Sequence, residues 1–212
     1  WTAYFLKQIQ PSVEVVLVEA KQIGHGASGR NGGWLMGTLE GCDAFVDDSG
    51  KLPLNTRQQL TELVSRAGEI LAKESIDCDF HHGGCIMAAA RHGVQIARAQ
   101  SMLSGFHGLG FGEDDYRWLT PTELIDRIQV ANPGGAVFTP HVARIQPAKL
   151  VTGLAGVVKS LGVRVFEHTR AHGIHSGVIR CDRGSIQARQ IVVATEGYSK
   201  VGNPLYRRLV PV

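Results

Sequence analysis

VEVVLVEAKQIGHGASGRNGGWLMG, Val13 to Gly37, is the stretch that decides how the chain is read. Its aliphatic, β-branched start predicts a buried strand, and that strand ends on a carboxylate, Glu19. A loop follows that holds Gly24, Gly26, Gly29, Gly32 and Gly33, with Ser28, Arg30 and Asn31 set among them. A nucleotide-binding βαβ unit needs a first strand, a glycine turn that lets backbone N–H groups approach a pyrophosphate, a helix, and a second strand whose terminal acid accepts ribose hydroxyls. The order of parts here is the second half of that unit. WTAYFLKQIQ, opening at Trp1, reads as the end of its helix, and the first strand and glycine turn are absent from the 212 residues. The chain is therefore expected to be an internal piece of a longer polypeptide, and the apolar, strand-like LYRRLVPV at the other end agrees.

Composition narrows the class. With 43% hydrophobic and 19% charged residues the chain is an ordinary globular sequence, long enough to bury a core. The formal charge of +3 is carried by scattered Lys and Arg with no basic stripe, so nucleic acid is not implied as a partner. Cys42, Cys78, Cys85 and Cys181 are irregularly spaced in a chain too large to need staples, which points to reduced thiols and a cytoplasmic setting. The aliphatic runs, as at Val15–Val18, are far too short for a transmembrane span.

Beyond the glycine loop, apolar residues at helical intervals predict an amphipathic helix over Leu52–Lys73. FHHGGCIMAA reads as two short strands paired around Gly83-Gly84. A second helix is expected near Gly93–Gly105, and a third starts at Thr120, where T-P-T-E supplies an N-cap, a proline at N1 and an acid at N3. Asn132-Pro133-Gly134-Gly135 breaks the pattern, and a strand at Ala136-Val137-Phe138 follows. Pro147–Gly162 is again helical and runs into a strand at Val163–Glu167. Short strands are expected at Ile174, Val178–Cys181 and Ser185–Ala188, and an all-apolar one at Ile191–Ala194. The fold class is α/β: an incomplete Rossmann-like cofactor domain built from residues 1–50 and 145–212, with an inserted α+β substrate-domain portion at 51–144.

Glu19 can accept hydrogen bonds from both hydroxyls of a ribose, and taken alone it can equally be a solvated acid at a strand end. The loop glycines let backbone come close to a ligand, while Ser28 and the loop N–H groups suit phosphate or sugar oxygens. Trp34 either shapes a cofactor pocket or simply packs. Cys78, His81, His82 and Cys85 have a loosely zinc-like spacing, but one compact cluster in a short hairpin does not easily turn four ligands to one point, so no metal is expected. His168, His172 and His175 read as surface or turn residues.

Three runs in order carry a resemblance. GASGRNGG at Gly26–Gly33, IQPAKLVTGLAGVVKSLGVRVFEHT at Ile145–Thr169, and QIVVATEGYS at Gln190–Ser199 closely resemble the FAD-binding domain of the D-amino-acid-oxidase-like (DAO) oxidoreductases, in the branch of the gamma-glutamylputrescine oxidoreductases. The resemblance implies FAD as cofactor. Glu19 would hold the adenosine ribose, Ala27 and Ser28 would meet the pyrophosphate, and Arg30, Asn31, Gly32 and Gly33 would line the path to the flavin ring. Ala171 would offer its backbone to adenine, and Ala194, Thr195 and Gly197 would pack beside the cofactor. The implied chemistry is oxidation of the C–N bond of a small-molecule amine or amino acid by hydride transfer to flavin, with oxygen or another acceptor taking the electrons. No acid or base residue is nominated, because the amine can lose its proton before binding. Parts of the family's cofactor and substrate sites are missing from the chain, so the 212 residues alone are expected to be inactive. A nicotinamide-dependent dehydrogenase would share Glu19 but has no use for GASGRNGG, and a truncated, non-catalytic remnant is the other alternative.

Replacing Glu19 by Ala in the full-length protein removes a charged acceptor, a contribution of about 1.5–3 kcal/mol. FAD affinity should fall by about tenfold to a hundredfold with the unfolding midpoint little changed, as read by flavin fluorescence against thermal melting; unchanged retention of flavin would remove Glu19 from the site.

Overall fold

The computed structural model describes residues 1–38, 41–175 and 177–196, the side chain of Asp43 apart. In chain order the elements are α1 (Thr2–Ile9), β1 (Val16–Val18), a 3-10 turn at Ala27–Gly29, β2 (Trp34–Met36), a second 3-10 turn at Cys42–Phe45, α2 (Leu54–Lys73), β3 (His81–His82), β4 (Cys85–Ala88), α3 (Gly93–Gly108), β5 (Arg117–Leu119), α4 (Pro121–Ile125), β6 (Ala136–Thr139), β7 (Val142–Arg144), α5 (Pro147–Ser160), β8 (Arg164–Phe166), β9 (Ala171–His175), β10 (Val178–Cys181) and β11 (Gly184–Gln187). The fold is mixed α/β, as the sequence predicts. The described residues divide into two compact units, Trp1–Val15 with Ile23–Arg164, and Val16–Gln22 with the described residues from Val165 to 196.

The larger unit is built on two three-stranded antiparallel sheets, in the orders β2-β7-β3 and β4-β6-β5. β6 is the centre of the second sheet, and Ala136, Val137 and Thr139 on it are fully buried. Val137 belongs to a core with Leu52, Phe111 and Tyr116, against which Leu103 and Phe106 of α3 pack. The Phe106 and Tyr116 rings stack with centroids 3.9 Å apart. On the alternate positions, Ala136 joins Leu119 and Leu124 in a separate cluster.

Helices α4 and α5 start at side-chain caps. Pro147 opens α5 behind Gln146, whose side chain accepts from Lys149 N, and Leu154, Ala155 and Val158 turn inward against α1 and the Ala27–Gly29 turn. α1 is fixed through its buried Tyr4, which donates to Glu74 Oε1 at 2.7 Å just past the end of α2. Thr120 and Glu123 form the expected reciprocal box at the start of α4. That helix stops at Ile125, well short of Asn132, and the Arg127 guanidinium beyond it lies 5.0 Å from the centre of the Phe138 ring.

Two expectations are corrected. The strands flanking Gly83-Gly84 do not pair with each other: β3 pairs β7, and β4 pairs β6. Gly84 N–H donates to Val142 O at 2.9 Å, so the glycines pass the chain from one sheet to the next. No strand forms at Ile191–Ala194; a run apolar on both faces needs neighbours to cover it, and here Val192 is 64% exposed.

In the smaller unit β1 pairs β8. Glu19 N donates to Phe166 O and His168 N to Lys21 O, so the bonds advance in the same direction along both strands, a parallel pairing. β9, β10 and β11 form an antiparallel meander that aligns Ile174, Ile179 and Ile186 in one row.

Tyr116 is 1% exposed, and its hydroxyl has no hydrogen-bond partner among the described residues. Burial pushes its pKa up to about 12, with the Asp115 charge adding to the rise and the nearby Thr139 hydroxyl tempering it. A phenol with a raised folded pKa ionises first in the unfolded chain. Its contribution is therefore intact below the unfolded value of about 10 and is lost as pH climbs through the folded one. Tyr116→Phe should flatten that loss between about pH 10 and 12. It should also leave neutral-pH stability equal or higher, since an unpaired buried hydroxyl costs about 1–3 kcal/mol; denaturant melts across pH read both effects.

Candidate cofactor site

Glu19 lies half-buried at the end of β1 in the smaller unit. Its N–H donates to Phe166 O, its carbonyl accepts from Thr169 N, and its Oε1 accepts from Lys21 N at 2.8 Å. The local turn thus fixes the carboxylate, while Oε2 has no hydrogen bond to a described residue. Ala171, the first residue of β9, is exposed and stands opposite Cys181. Ala194 and Thr195 are exposed in the extended segment after β11. Gly197 lies outside the described residues.

In the larger unit, the predicted loop closes on itself. Gly29 N donates to Gly26 O and Arg30 N to Ala27 O, the two bonds of the 3-10 turn. A Cβ on Gly29 would sit 2.1 Å from Gly24 O, so the loop ends meet only because residue 29 has no side chain, while Gly24 takes φ +81°. Asn31 clamps the turn: its Nδ2 donates to Ala27 O at 3.2 Å and to Ser28 O at 3.1 Å, and its Oδ1 accepts from Gly33 N at 2.9 Å. Arg30 Nε reaches back to Gly26 O. Gly33 takes φ +76°, and a Cβ on it would meet Ile145 O at 2.2 Å. Gly32 lies against the indole of Trp34; a Cβ on it would be 3.3 Å from Trp34 Cδ1.

The donor set suits an anionic, hydroxyl-bearing ligand. Ala27 and Ser28 are exposed, and their N–H groups and the Ser28 hydroxyl have no acceptor among the described residues. Adjacent backbone donors of this kind hydrogen-bond phosphate oxygens. Glu19 brings the acceptor that ribose hydroxyls require. Each taken within its own unit, the Ala27–Ser28 donors fit the phosphates, and Glu19 fits the ribose hydroxyls, of a dinucleotide such as FAD.

The cysteines and histidines do not assemble another centre. Cys78 and Cys85 are buried, and burial pushes both thiols above their ordinary pKa. His81 and His82 are exposed, and His82 Nε2 lies 2.8 Å from Pro140 O. Among the described residues no three His, Cys, Asp or Glu side chains converge as metal ligands. His172 bonds Asp182 and holds its carboxyl below the usual range, while His168 turns the chain at φ +50°.

Linear spacing gives no hint of two features. One is the internal role of the Asn31 amide. The other is the row Trp34, Arg144 and His81, directly opposed across β2, β7 and β3.

Comparison with known proteins adds the evolutionary context. The family model for DAO, FAD dependent oxidoreductase, matches residues 1–212. Gamma-glutamylputrescine oxidoreductase of Escherichia coli (strain K12) is 27% identical over 207 residues, taking in 93% of this chain and 47% of that protein. The probable oxidoreductase OrdL of Haemophilus influenzae is 22% identical over 218 residues, covering 98% and 50% of the two chains. The chain spans about half the length of the curated relatives it matches. Glycine oxidase from Geobacillus kaustophilus shares the fold with a TM-score of 0.71 at 21% identity, over 92% of this chain and 52% of its own. L-amino acid deaminase from Proteus vulgaris follows at 0.67 and 23%, over 91% and 44%.

Asn31→Ala removes three bonds from an exposed loop and leaves the sheets untouched. Flavin titration of the full-length protein should show FAD binding weakened by about tenfold, equivalent to the roughly 1 kcal/mol net of a hydrogen bond or slightly more, with an unchanged far-ultraviolet circular dichroism spectrum.

Proposed function

The chain belongs to the DAO family of FAD-dependent oxidoreductases, whose cofactor is FAD, and on that premise we propose that it forms the cofactor-binding part of an enzyme oxidising the C–N bond of an amine or amino acid. The observation that carries this reading is the Asn31-clamped turn with its outward donors at Ala27 and Ser28. Glu19 accepts the ribose hydroxyls. Ala27 and Ser28 hold the pyrophosphate, with the Asn31 amide keeping their carbonyls occupied within the loop. Arg30, Asn31, Gly32 and Gly33 line the path to the flavin ring, Ala171 offers its backbone to adenine, and Ala194, Thr195 and Gly197 pack beside the cofactor. Residues 1–50 and 145–212 make up two parts of the FAD-binding domain, and 51–144 contribute to the substrate domain.

FAD, when bound, would supply a two-electron acceptor: the substrate would lose its C–H as hydride to the cofactor and its N–H proton to solvent to give an imine, which water would hydrolyse to a carbonyl compound and an amine or ammonia. The chain's own part is to bind, orient and exclude water. Oxygen or another acceptor would take the electrons from the reduced cofactor. The compartment is the cytoplasm, a reading supported by four free cysteines. No described helix is long and apolar enough to cross a membrane.

The purified full-length protein should be yellow, and anaerobic addition of one member of a panel of amines, including gamma-glutamylputrescine and D-amino acids, should bleach its flavin bands. A protein that stays colourless after reconstitution with FAD, or whose flavin no amine or amino acid reduces, would overturn the proposal.

A further inference from the structure

Asn31 is followed by Gly32, and this is the one Asn-Gly pair in the chain; Asn55 precedes Thr56, and Asn132 and Asn203 precede prolines. Asn-Gly is the pair at which a side-chain amide is most easily lost, because glycine brings no side chain to hinder attack of its backbone nitrogen on the neighbouring Cγ. A proline nitrogen carries no hydrogen and does not make that attack. Asn31 and Gly32 are both exposed, so water and hydroxide reach the pair. Gly32 N–H has no acceptor among the described residues, so no hydrogen bond to them holds its proton in place.

The same amide ties the loop together. Its Nδ2 donates to Ala27 O and Ser28 O, and its Oδ1 accepts from Gly33 N. Closing a five-membered ring onto Gly32 N requires the side chain to turn and to give up Nδ2 altogether. The three bonds therefore oppose the reaction, which proceeds from the fraction of chains whose loop has opened. A ligand that binds only the closed loop lowers that fraction further.

We propose that Asn31–Gly32 is a site of spontaneous deamidation, held back by the Asn31 clamp and by bound cofactor, and that its product ends cofactor binding. Gly32 N–H gives its proton to hydroxide, and the nitrogen bonds to Asn31 Cγ; the Cγ–Nδ2 bond breaks, and ammonia departs with a proton from water. Water then opens the succinimide at either carbonyl, leaving aspartate or isoaspartate at position 31. The net reaction consumes one water and releases one ammonia, with no oxidation. The new carboxylate sets an acceptor where a donor stood, 3.2 and 3.1 Å from the Ala27 and Ser28 carbonyl oxygens, and brings a negative charge to the anion-binding turn. Isoaspartate also lengthens the main chain by one carbon just before Gly33, which is already pressed against Ile145 O. The loss of FAD rests on the pyrophosphate role proposed for this loop; the deamidation itself does not.

Full-length protein, as FAD-loaded holoenzyme, as apoprotein and as urea-unfolded chain, is aged in mildly alkaline buffer. Its peptides are then weighed by mass spectrometry and probed with an isoaspartyl methyltransferase. The peptide holding Asn31 should gain the mass of an amide-to-acid exchange and become methylatable, while those holding Asn55 and Asn132 stay unchanged. The unfolded chain should react at least about tenfold faster than the apoprotein, as the loss of hydrogen bonds worth about 1 kcal/mol each implies, and the apoprotein faster than the holoenzyme. Gly32→Ala should slow the reaction in the unfolded chain, where no fold is at stake. Asn31→Asp should hold FAD at least about tenfold more weakly than wild type. No acid at position 31 in the unfolded chain, acid appearing as fast at Asn55, or equal rates in all three forms would each overturn the assignment. Asn31→Asp holding FAD as wild type does would overturn the link to the cofactor. If that variant does not fold, equal acid content at position 31 in the flavin-bound and flavin-free fractions of aged wild type would overturn it instead. A full-length protein that never takes up FAD sinks the proposed function, while ageing of its apoprotein and unfolded chain still decides the modification.

Discussion

Residue 33 has no room for a side chain. Its α-carbon faces the carbonyl of Ile145, and Ile145 N returns a hydrogen bond to Gly33 O at 2.8 Å. This contact extends the β2–β7 ladder by one step, into the glycine loop on one side and the start of α5 on the other. Three things follow from it. The loop end is held against the corner that leads into α5, the Asn31 side chain has a fixed N–H to receive, and Trp34 enters β2 in register with Arg144. A larger residue at 33 would have to open the ladder, since φ +76° is itself strained for any side chain.

The loop, with α5 packed behind its Ala27–Gly29 turn, also holds its shape by bonds within itself. Its order comes from internal bonding: the Asn31 amide satisfies two carbonyls, and backbone bonds close the turn. Using acceptors internally leaves donors outward, and a surface of backbone N–H groups favours anions. Glu19 works in the complementary sense, with one oxygen occupied by the Lys21 N–H and the other open to a donor.

Local signals in the sequence were strong where the cause of structure is local. The T-P-T-E box, Pro147 behind Gln146, and the acid at the end of β1 each depend on residues within one turn, and each is legible by spacing alone. The Gly83-Gly84 pair reads as a hairpin in the sequence because glycines announce a change of direction without saying which strands will meet. Pairing was decided by β6 and β7, more than fifty positions away, whose burial demands partners on both sides. Likewise Ile191–Ala194 has a strand composition, but a strand exists only where a neighbour supplies its hydrogen bonds. The opposition of Trp34, Arg144 and His81 is a product of register and has no linear signature.

The bend at Gly83-Gly84 has a matching one at Pro140-His141, so β3–β4 and β7–β6 run as a single antiparallel ribbon folded across two sheets. Cys85 stands opposite Thr139 on one side of the fold, and His82 opposite Ala143 on the other. Such a ribbon behaves as a rack and pinion. Its inner half is meshed in the packed interior around Val137, and a slip of two positions there would drag His81 past Arg144 by the same distance. The tightly packed half therefore acts as an indexing device, converting the inertness of the interior into alignment of the exposed half.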